Sequence, residues 1–369
     1  MIFLYYDSLS YPGGGIATYL HALASYLKEQ NLSFQVTVTE INHSPIIDEL
    51  ITKGISVYRQ VRLPGDRWLI RKRAMLFWLS RKLRSGDRVF CVCPPSPSLY
   101  LPLVRLAHKC KAKIAVSWFL APEFWPPSIA GIYAGEFSQA VNETDAVISV
   151  SKCTTHQFKE AYGYTGYVHV VPYHNLMFFR ETVPLPAGPP WKIGYMGRLD
   201  MKQKNLDTLL GAFTDVLEVR RDLELHCYGD GPDRMELEEM AFNSGVHKHV
   251  YFYGTYDHRR DLPEIMNNCH FFTHPSRAEG GPCFSLLEVL QAGRFCVASR
   301  VGGIPDLYDG HPEAGLLIDP NDQKSLSSGL LAAVERTVNG SIDANAIRAR
   351  YFEGFDMASA HRAWLSAIA

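Results

Sequence analysis

Along the chain, short runs of apolar and β-branched residues alternate with longer stretches whose apolar positions recur every three or four residues. The runs fall at 2–6, 35–39, 89–93, 114–118, 146–150 and 168–171. Each is strand-sized, and the amphipathic stretches between them can cross back over a sheet, so the pattern predicts parallel βαβ units. Residues 180–192, RETVPLPAGPPWK, break it, because Pro is dense there and no period survives. A second series follows at 192–196, 224–228, 250–253, 270–273 and 295–298. The expected fold is α/β: an N-terminal Rossmann-like domain over 1–179, a linker over 180–191 and a C-terminal Rossmann-like domain over 192–345. Residues 346–369 are expected to form a helical segment that packs back on the N-terminal domain. Open parallel sheets bind ligands beyond the carboxyl ends of their strands, so the two domains should face a shared central cleft.

A chain of 369 residues with 47% hydrophobic content suits two cores. Its net charge of -1 argues against a general nucleic-acid binder. The eight cysteines, at 91, 93, 110, 153, 227, 269, 283 and 296, form no CxxC pair and read as buried free thiols of a reducing compartment. The opening MIFLYYDSL lacks the features of a signal peptide, and no apolar run approaches the length of a membrane span, so a cytoplasmic protein is expected. The near-zero charge hides one segregated segment. Residues 58–88 carry ten Lys and Arg against Asp66 and Asp87, interleaved with Trp68, Leu69, Ile70, Met75, Leu76, Phe77, Trp78 and Leu79. Such a mixture fits a helix resting on an anionic membrane surface, or equally a crossover helix with a solvated basic face.

Candidate chemistry gathers in the loops at strand ends. SLSYPGGGIATYLHALASYL places Gly13, Gly14 and Gly15 before a helix, where bare backbone amides attract phosphate. IGYMGRLDMKQKNLDTLLGAF sets Gly197, Arg198, Lys202 and Lys204 between a strand and a helix, a cationic loop suited to a diphosphate. Gly229-Asp230-Gly231-Pro232 makes a sharp turn, and Gly302-Gly303 lets backbone approach a ligand closely. HPSRAEGGPCFSLLEVLQAGR reads as strand end, glycine loop and helix, with Pro282 in the first turn and Gly293 at the end. Cys283, Leu286, Leu287 and Leu290 would line one side of that helix; Ser285, Glu288 and Gln291 would line another. Glu279 stays in the loop. Glu288 would sit about 9 Å along the helix axis from Pro282, which suits two groups of one elongated ligand.

In this order and spacing, YMGRLDMKQKNLDTLL, YGDGPDRMELEEMA, YFYGTYDHRRDLPEIMNNCHFFTHPSRAEGGPCFSLLEVLQAG and VASRVGGIPDL resemble the C-terminal half of retaining glycosyltransferases of GT-B fold, glycosyltransferase family 4. The resemblance covers residue 193 to about 330, and the PGGGIATYLHALASYL start also fits. It implies transfer from a nucleotide diphosphate sugar, most often a UDP-sugar, to a hydroxyl of a glycan, lipid-linked or small-molecule acceptor. Anomeric configuration would be retained, with no metal and no cofactor beyond the donor. Glu279 would address the donor sugar and Glu288 the ribose. Arg198 and Lys204 would hold the diphosphate, and Gly197, Gly229, Gly280 and Gly281 would belong to donor binding. Gly13, Gly14 and Gly15 would line the cleft opposite.

Two departures accompany the match. The signature is Glu-x7-Glu, whereas eight residues separate Glu279 from Glu288, so strict counting lands on Gly280. Either the loop bulges by one residue or the Gly280 and Gly281 amides take over from Glu279. Relatives also carry a His near the end of the fourth predicted strand, where AVSWFLAPEF has Ser117, Trp118 and Phe119. Resembling enzymes often act on lipid-linked acceptors, so residues 59–88 are expected to attach the protein to anionic membrane at the inner face of the cell membrane. Competing readings are a sugar-nucleotide epimerase or phosphorylase, a catalytically silent binding protein, and a nicotinamide oxidoreductase using Gly13-x-Gly15 and Glu40. The last is disfavoured because residues 8–12 overextend the turn and Thr18 replaces the final glycine.

Overall fold

A computed structural model describes residues 1–9, 15–41, 45–59, 68–119, 131–173, 178–258 and 260–368. The chain divides into two compact units, Met1–Asn175 with Met357–Ala369, and Leu176–Asp356. In the first unit, β1 (Ile2–Leu9), β2 (Phe34–Ile41), β3 (Val57–Arg59), β4 (Arg88–Cys91), β5 (Lys113–Trp118), β6 (Ala146–Ser149) and β7 (Val168–Val170) form one sheet. Its order is β3-β2-β1-β4-β5-β6-β7, and its pairings are parallel. Helices α1 (Gly15–Glu29), α2 (Pro45–Thr52), α3 (Trp68–Lys82), α4 (Pro97–Lys109), α5 (Ala134–Glu143) and α6 (Lys152–Tyr162) supply the crossovers. Strands covered on both faces must be apolar throughout, and in β5 every residue but Lys113 is buried. The half-exposed edge strand β3 has no such run, which is why the apolar pattern does not reveal it.

The basic segment is resolved in its C-terminal half. Met75, Leu79 and Leu83 are buried in the core of the first unit, and Trp78 stacks on Tyr58 with ring centroids 3.7 Å apart. Phe77 is 61% exposed, with Arg81 over its ring. Residues 60–67 and the side chains of residues 68–72 lie outside the described residues.

The second unit contains β8 (Trp191–Met196), β9 (Leu223–Tyr228), β10 (Val250–Gly254), β11 (Phe271–His274), β12 (Cys296–Ser299) and β13 (Gly315–Ile318), ordered β10-β9-β8-β11-β12-β13. Around it lie α7 (Met201–Lys204), α8 (Leu206–Val219), α9 (Arg234–Asn243), α10 (Leu262–Asn268), α11 (Phe284–Gln291), α12 (Pro305–Tyr308), α13 (Gln323–Val338) and α14 (Ala344–Phe352). α8 shows why such helices form: Leu206, Leu209, Leu210, Phe213 and Val216 are buried at three- and four-residue steps. The last helix, α15 (Met357–Ile368), belongs to the first unit. Trp364 meets Phe90 edge to face at 4.8 Å, and His361 stacks on Tyr26 at 4.0 Å. In both sheets the chain starts centrally, winds one way, then returns and winds the other. The reversal lies between β1 and β4 in one sheet and between β8 and β11 in the other, which is where open α/β sheets leave a crevice for ligand.

All eight cysteines are free, as expected, but Cys93, Cys110, Cys153 and Cys283 are only half-buried. The Pro-rich segment is strapped to the second unit by a buried cation. Arg294 is fully buried and has no carboxylate partner among the described residues. Its guanidinium donates to the carbonyls of Val183 (2.6 Å), Pro184 (2.5 Å), Met266 (2.8 Å) and Cys269 (3.1 Å). Burial pulls its pKa down to about 10, which leaves it charged at neutral pH. The planar fork serves several carbonyls at once, which a single ammonium does not. Arg294→Lys should therefore cost about 2–4 kcal/mol, read as a lower urea midpoint of the full chain.

Candidate active site

The loops after β8 and β11 meet at the reversal point of the second sheet. Gly229, at φ +138°, closes β9 against the end of β8; a Cβ there would fall 1.9 Å from the Gly197 carbonyl oxygen. Only a glycine permits that approach. Gly197 N donates to Tyr228 O at 3.0 Å, and Leu199 N donates to Asp230 O at 3.0 Å. Asp200 then caps the short α7 by accepting from Gln203 N, and Asp233 accepts from Met201 N at 2.6 Å. Asn205, at φ +59°, turns the chain from α7 into α8, and its buried amide donates to Pro275 O at 3.0 Å. This bond ties the first loop to the second with Lys204 between them.

Lys204 Nζ donates to Glu279 Oε1. The side chains are 12% and 9% exposed. Glu279 also accepts from Ser276 Oγ at 2.8 Å, and His274 Nε2 lies 3.1 Å from the same oxygen. Behind this loop stands Gly302 of RVGGIPDL, whose Cβ would come 1.6 Å from Glu279 O. Burial pushes the Glu279 pKa up, but Lys204 and His274 outweigh it and hold it at about 2. Burial likewise opposes protonation of His274, yet the Cys283 thiol and Glu279 raise it to about 9. Cys283 Sγ lies 3.3 Å from His274 Nε2 and 3.1 Å from Ser285 Oγ. Burial raises the thiol pKa, and the His274 charge more than reverses that. His274, Glu279 and Cys283 bring ligand-type atoms within 4.8 Å of one another. In this cluster, however, Lys204 and protonated His274 already neutralise the acidic partners.

Glu288 departs from the sequence expectation. α11 begins at Phe284 with Cys283 as its N-cap, so Pro282 precedes the helix and does not sit in its first turn. The helix is buried from Leu286 to Gln291, so Glu288, expected on a polar side, is 1% exposed. One carboxylate oxygen accepts from His258 Nδ1 at 2.8 Å. The other, Oε2, is buried with no hydrogen-bond partner among the described residues. A buried unsatisfied acceptor costs about 1–3 kcal/mol and is removed by a ligand that donates to it.

The remaining expected site residues are placed as follows. Arg198 is half-exposed, with Nη2 2.8 Å from both Gln203 Oε1 and Asp200 Oδ2. Gly280 and Gly281 are buried between Glu279 and α11. Gly15 opens α1, whereas Gly13 and Gly14 lie outside the described residues. Ser117 and Trp118 are buried at the end of β5, and Phe119 packs on Tyr19 and Tyr173. Sequence reading missed His274, Ser276, Cys283, His258 and Arg277. Arg277 forks Asp207 at 2.9 and 2.8 Å and fastens the Glu279 loop to α8. His274 closes a strand-like run, a position that signals a residue at a sheet's carboxyl edge; His258 carries no such signal.

Residues 190–336 match the family described as glycosyl transferases group 1. The second unit carries a glycosyl transferases group 1 domain. In that region the chain is 30% identical over 142 residues to a human phosphatidylinositol N-acetylglucosaminyltransferase, covering 38% of this chain and 28% of that protein. It is also 30% identical over 165 residues to the phosphatidyl-myo-inositol mannosyltransferase of Mycobacterium leprae, covering 43% and 42%. The chain thus spans less than a third of the length of the first relatives it matches. The whole chain superposes on Anabaena HepE in complex with UDP at TM-score 0.79, with 16% identity over 99% of each chain. TarM superposes at 0.81, with 11% identity over 100% and 98%. The fold is GT-B, built from two Rossmann-like domains, and the group 1 domain supplies Arg198, Lys204, Glu279 and Glu288.

Because Glu279 is held at about 2 against an ordinary 4.5, it stabilises the fold fully above pH 4.5, and this contribution fades as pH falls toward 2. Glu279→Gln should flatten that part of the acid limb in pH-dependent unfolding. Lys204→Ala should lower stability as well as activity, since it strands a buried carboxylate. That corrects the expectation from sequence, which placed Lys204 in an exposed polar loop.

Proposed function

We propose that the protein is a glycosyltransferase that moves a sugar from a nucleotide diphosphate donor, a UDP-sugar, to an acceptor hydroxyl with retention of configuration. The observation that carries the reading is Glu288: a buried carboxylate with one oxygen unsatisfied, beside a buried Lys204–Glu279 pair at the reversal point of a group 1 domain. A vicinal diol of ribose supplies the donors that carboxylate lacks. Lys204 and the half-exposed Arg198 supply positive charge for the diphosphate as its bond to the sugar breaks, so the chemistry needs no metal. Glu279, fixed by Lys204, His274 and Ser276, offers its remaining acceptor capacity to sugar hydroxyls. Positioning and exclusion of water do the rest, since stray water would hydrolyse the donor. UDP is the nucleotide in the HepE complex, which supports a uridine donor here.

Relatives named for phosphatidylinositol substrates support a membrane-borne acceptor. With Met75, Leu79 and Leu83 used in the core, α3 and its flank offer Arg73, Arg81, Lys82 and Arg84 outward. Attachment to the inner face of the cell membrane would then be mainly electrostatic, and therefore salt-sensitive.

A thermal-shift screen of nucleotide sugars should pick out one UDP-sugar, with slow hydrolysis when no acceptor is present. Product anomers read by NMR should match the donor. Arg198→Ala should lower kcat by about 10²-fold with little change in Tm, whereas Glu288→Ala should weaken binding of UDP itself. A donor epimer, or glycan breakdown that requires inorganic phosphate, would replace transfer with the epimerase or phosphorylase reading. Separately, the protein should co-sediment with anionic vesicles at low salt and be released at high salt; no binding at low salt would move the acceptor into solution.

A further inference from the structure

Glu288 is closed on both sides. Its side chain keeps 2% of its surface, Oε1 is taken by His258 Nδ1 at 2.8 Å, and Oε2 is shut in without a partner among the described residues. A ribose hydroxyl therefore reaches this carboxylate only if something moves. Of the pair, His258 is the exposed member, at 40%, and it stands in the loop between β10 and α10, not on a packed helix. A vicinal diol donates two hydrogen bonds, one for the oxygen that lacks a donor and one for the oxygen His258 holds. Resting on the reading of Glu288 as the ribose-binding residue, we propose that His258 is a gate: it occupies the diol's place on Glu288 until a nucleotide displaces it.

The charge of the gate makes it sensitive to pH. Burial opposes protonation of His258, but its bond to Glu288 and the Glu288 and Asp257 carboxylates outweigh burial and raise its pKa. The groups around it are Glu288 from α11, Tyr256 and Asp257 from its own loop, and Asp261, paired with Arg260, at the start of α10. Displacement returns His258 toward ordinary imidazole behaviour, so nucleotide binding releases a proton and tightens as pH rises through the raised value.

The test is titration calorimetry of the full chain with UDP-glucose and with GDP-mannose, whose diphosphate diesters do not titrate between pH 6 and 8. Wild-type affinity for whichever binds should rise with pH, by up to about tenfold per unit. His258→Ala should bind several-fold more tightly than wild type at pH 6 and lose most of the pH slope. A gain of affinity on truncation is not what structural damage produces. His258→Asn, uncharged but still a donor, should match the wild type's alkaline affinity at every pH. Weaker binding by His258→Ala with the slope intact would overturn the gate and make His258 a support for Glu288. If Glu288→Ala leaves the wild-type binding of these ligands unchanged, the reading of Glu288 fails, and the gate with it.

Discussion

The buried Lys204–Glu279 ion pair is the contact on which the site depends. Lys204 ends α7, after the first strand of the second unit, and Glu279 stands in the loop after β11, 75 residues later. These are the two strands that flank the reversal of winding, so the pair closes the crevice that sheet topology opens. Neither charge would be stable there alone. A buried carboxylate or ammonium without its partner pays a desolvation penalty of several kcal/mol, so each side chain fixes where the other loop runs. The neighbouring bonds, Asn205 to Pro275 and Arg277 to Asp207, serve the same junction from outside.

This pairing also bears on the extra residue between Glu279 and Glu288. A one-residue insertion in a loop can rotate its side chains away from their task or be absorbed by a bulge. Here Glu279 remains buried, bonded to Lys204, His274 and Ser276, with Gly302 giving its backbone room. Gly280-Gly281-Pro282 lies between this anchored carboxylate and the Cys283 cap of α11. The additional length is taken up where side chains are absent, and Glu288 keeps its place in the helix.

Buried charge recurs with a different purpose in Arg294. Lys204 faces a carboxylate, while Arg294 faces carbonyl oxygens and holds Val183 and Pro184 against α10 and the start of β11. A Pro-rich segment has few amides to offer a sheet or helix. A guanidinium that collects its carbonyls provides an attachment without regular structure.

Periodicity alone carried most of the fold. Continuous apolar runs are what a strand buried on both faces requires, so the main strands of both sheets were legible, and the short edge strand β3, half in solvent, was not. The glycine pair at 197 and 229 and the αL-competent Asn205 were visible as loop residues, because the backbone restrictions they relieve are local. The candidate site was legible as to which loops carry charge, and the likeness of those loops to a known family named the residues. Sequence could not give the state of those residues. Whether Lys204 is solvated or paired, whether Glu288 faces water or lies buried with one oxygen unsatisfied, and whether His258 covers it are set by contacts between segments 30 to 75 residues apart. Burial and through-space charge determine those states, and both exist only once the sheets have brought the loops together.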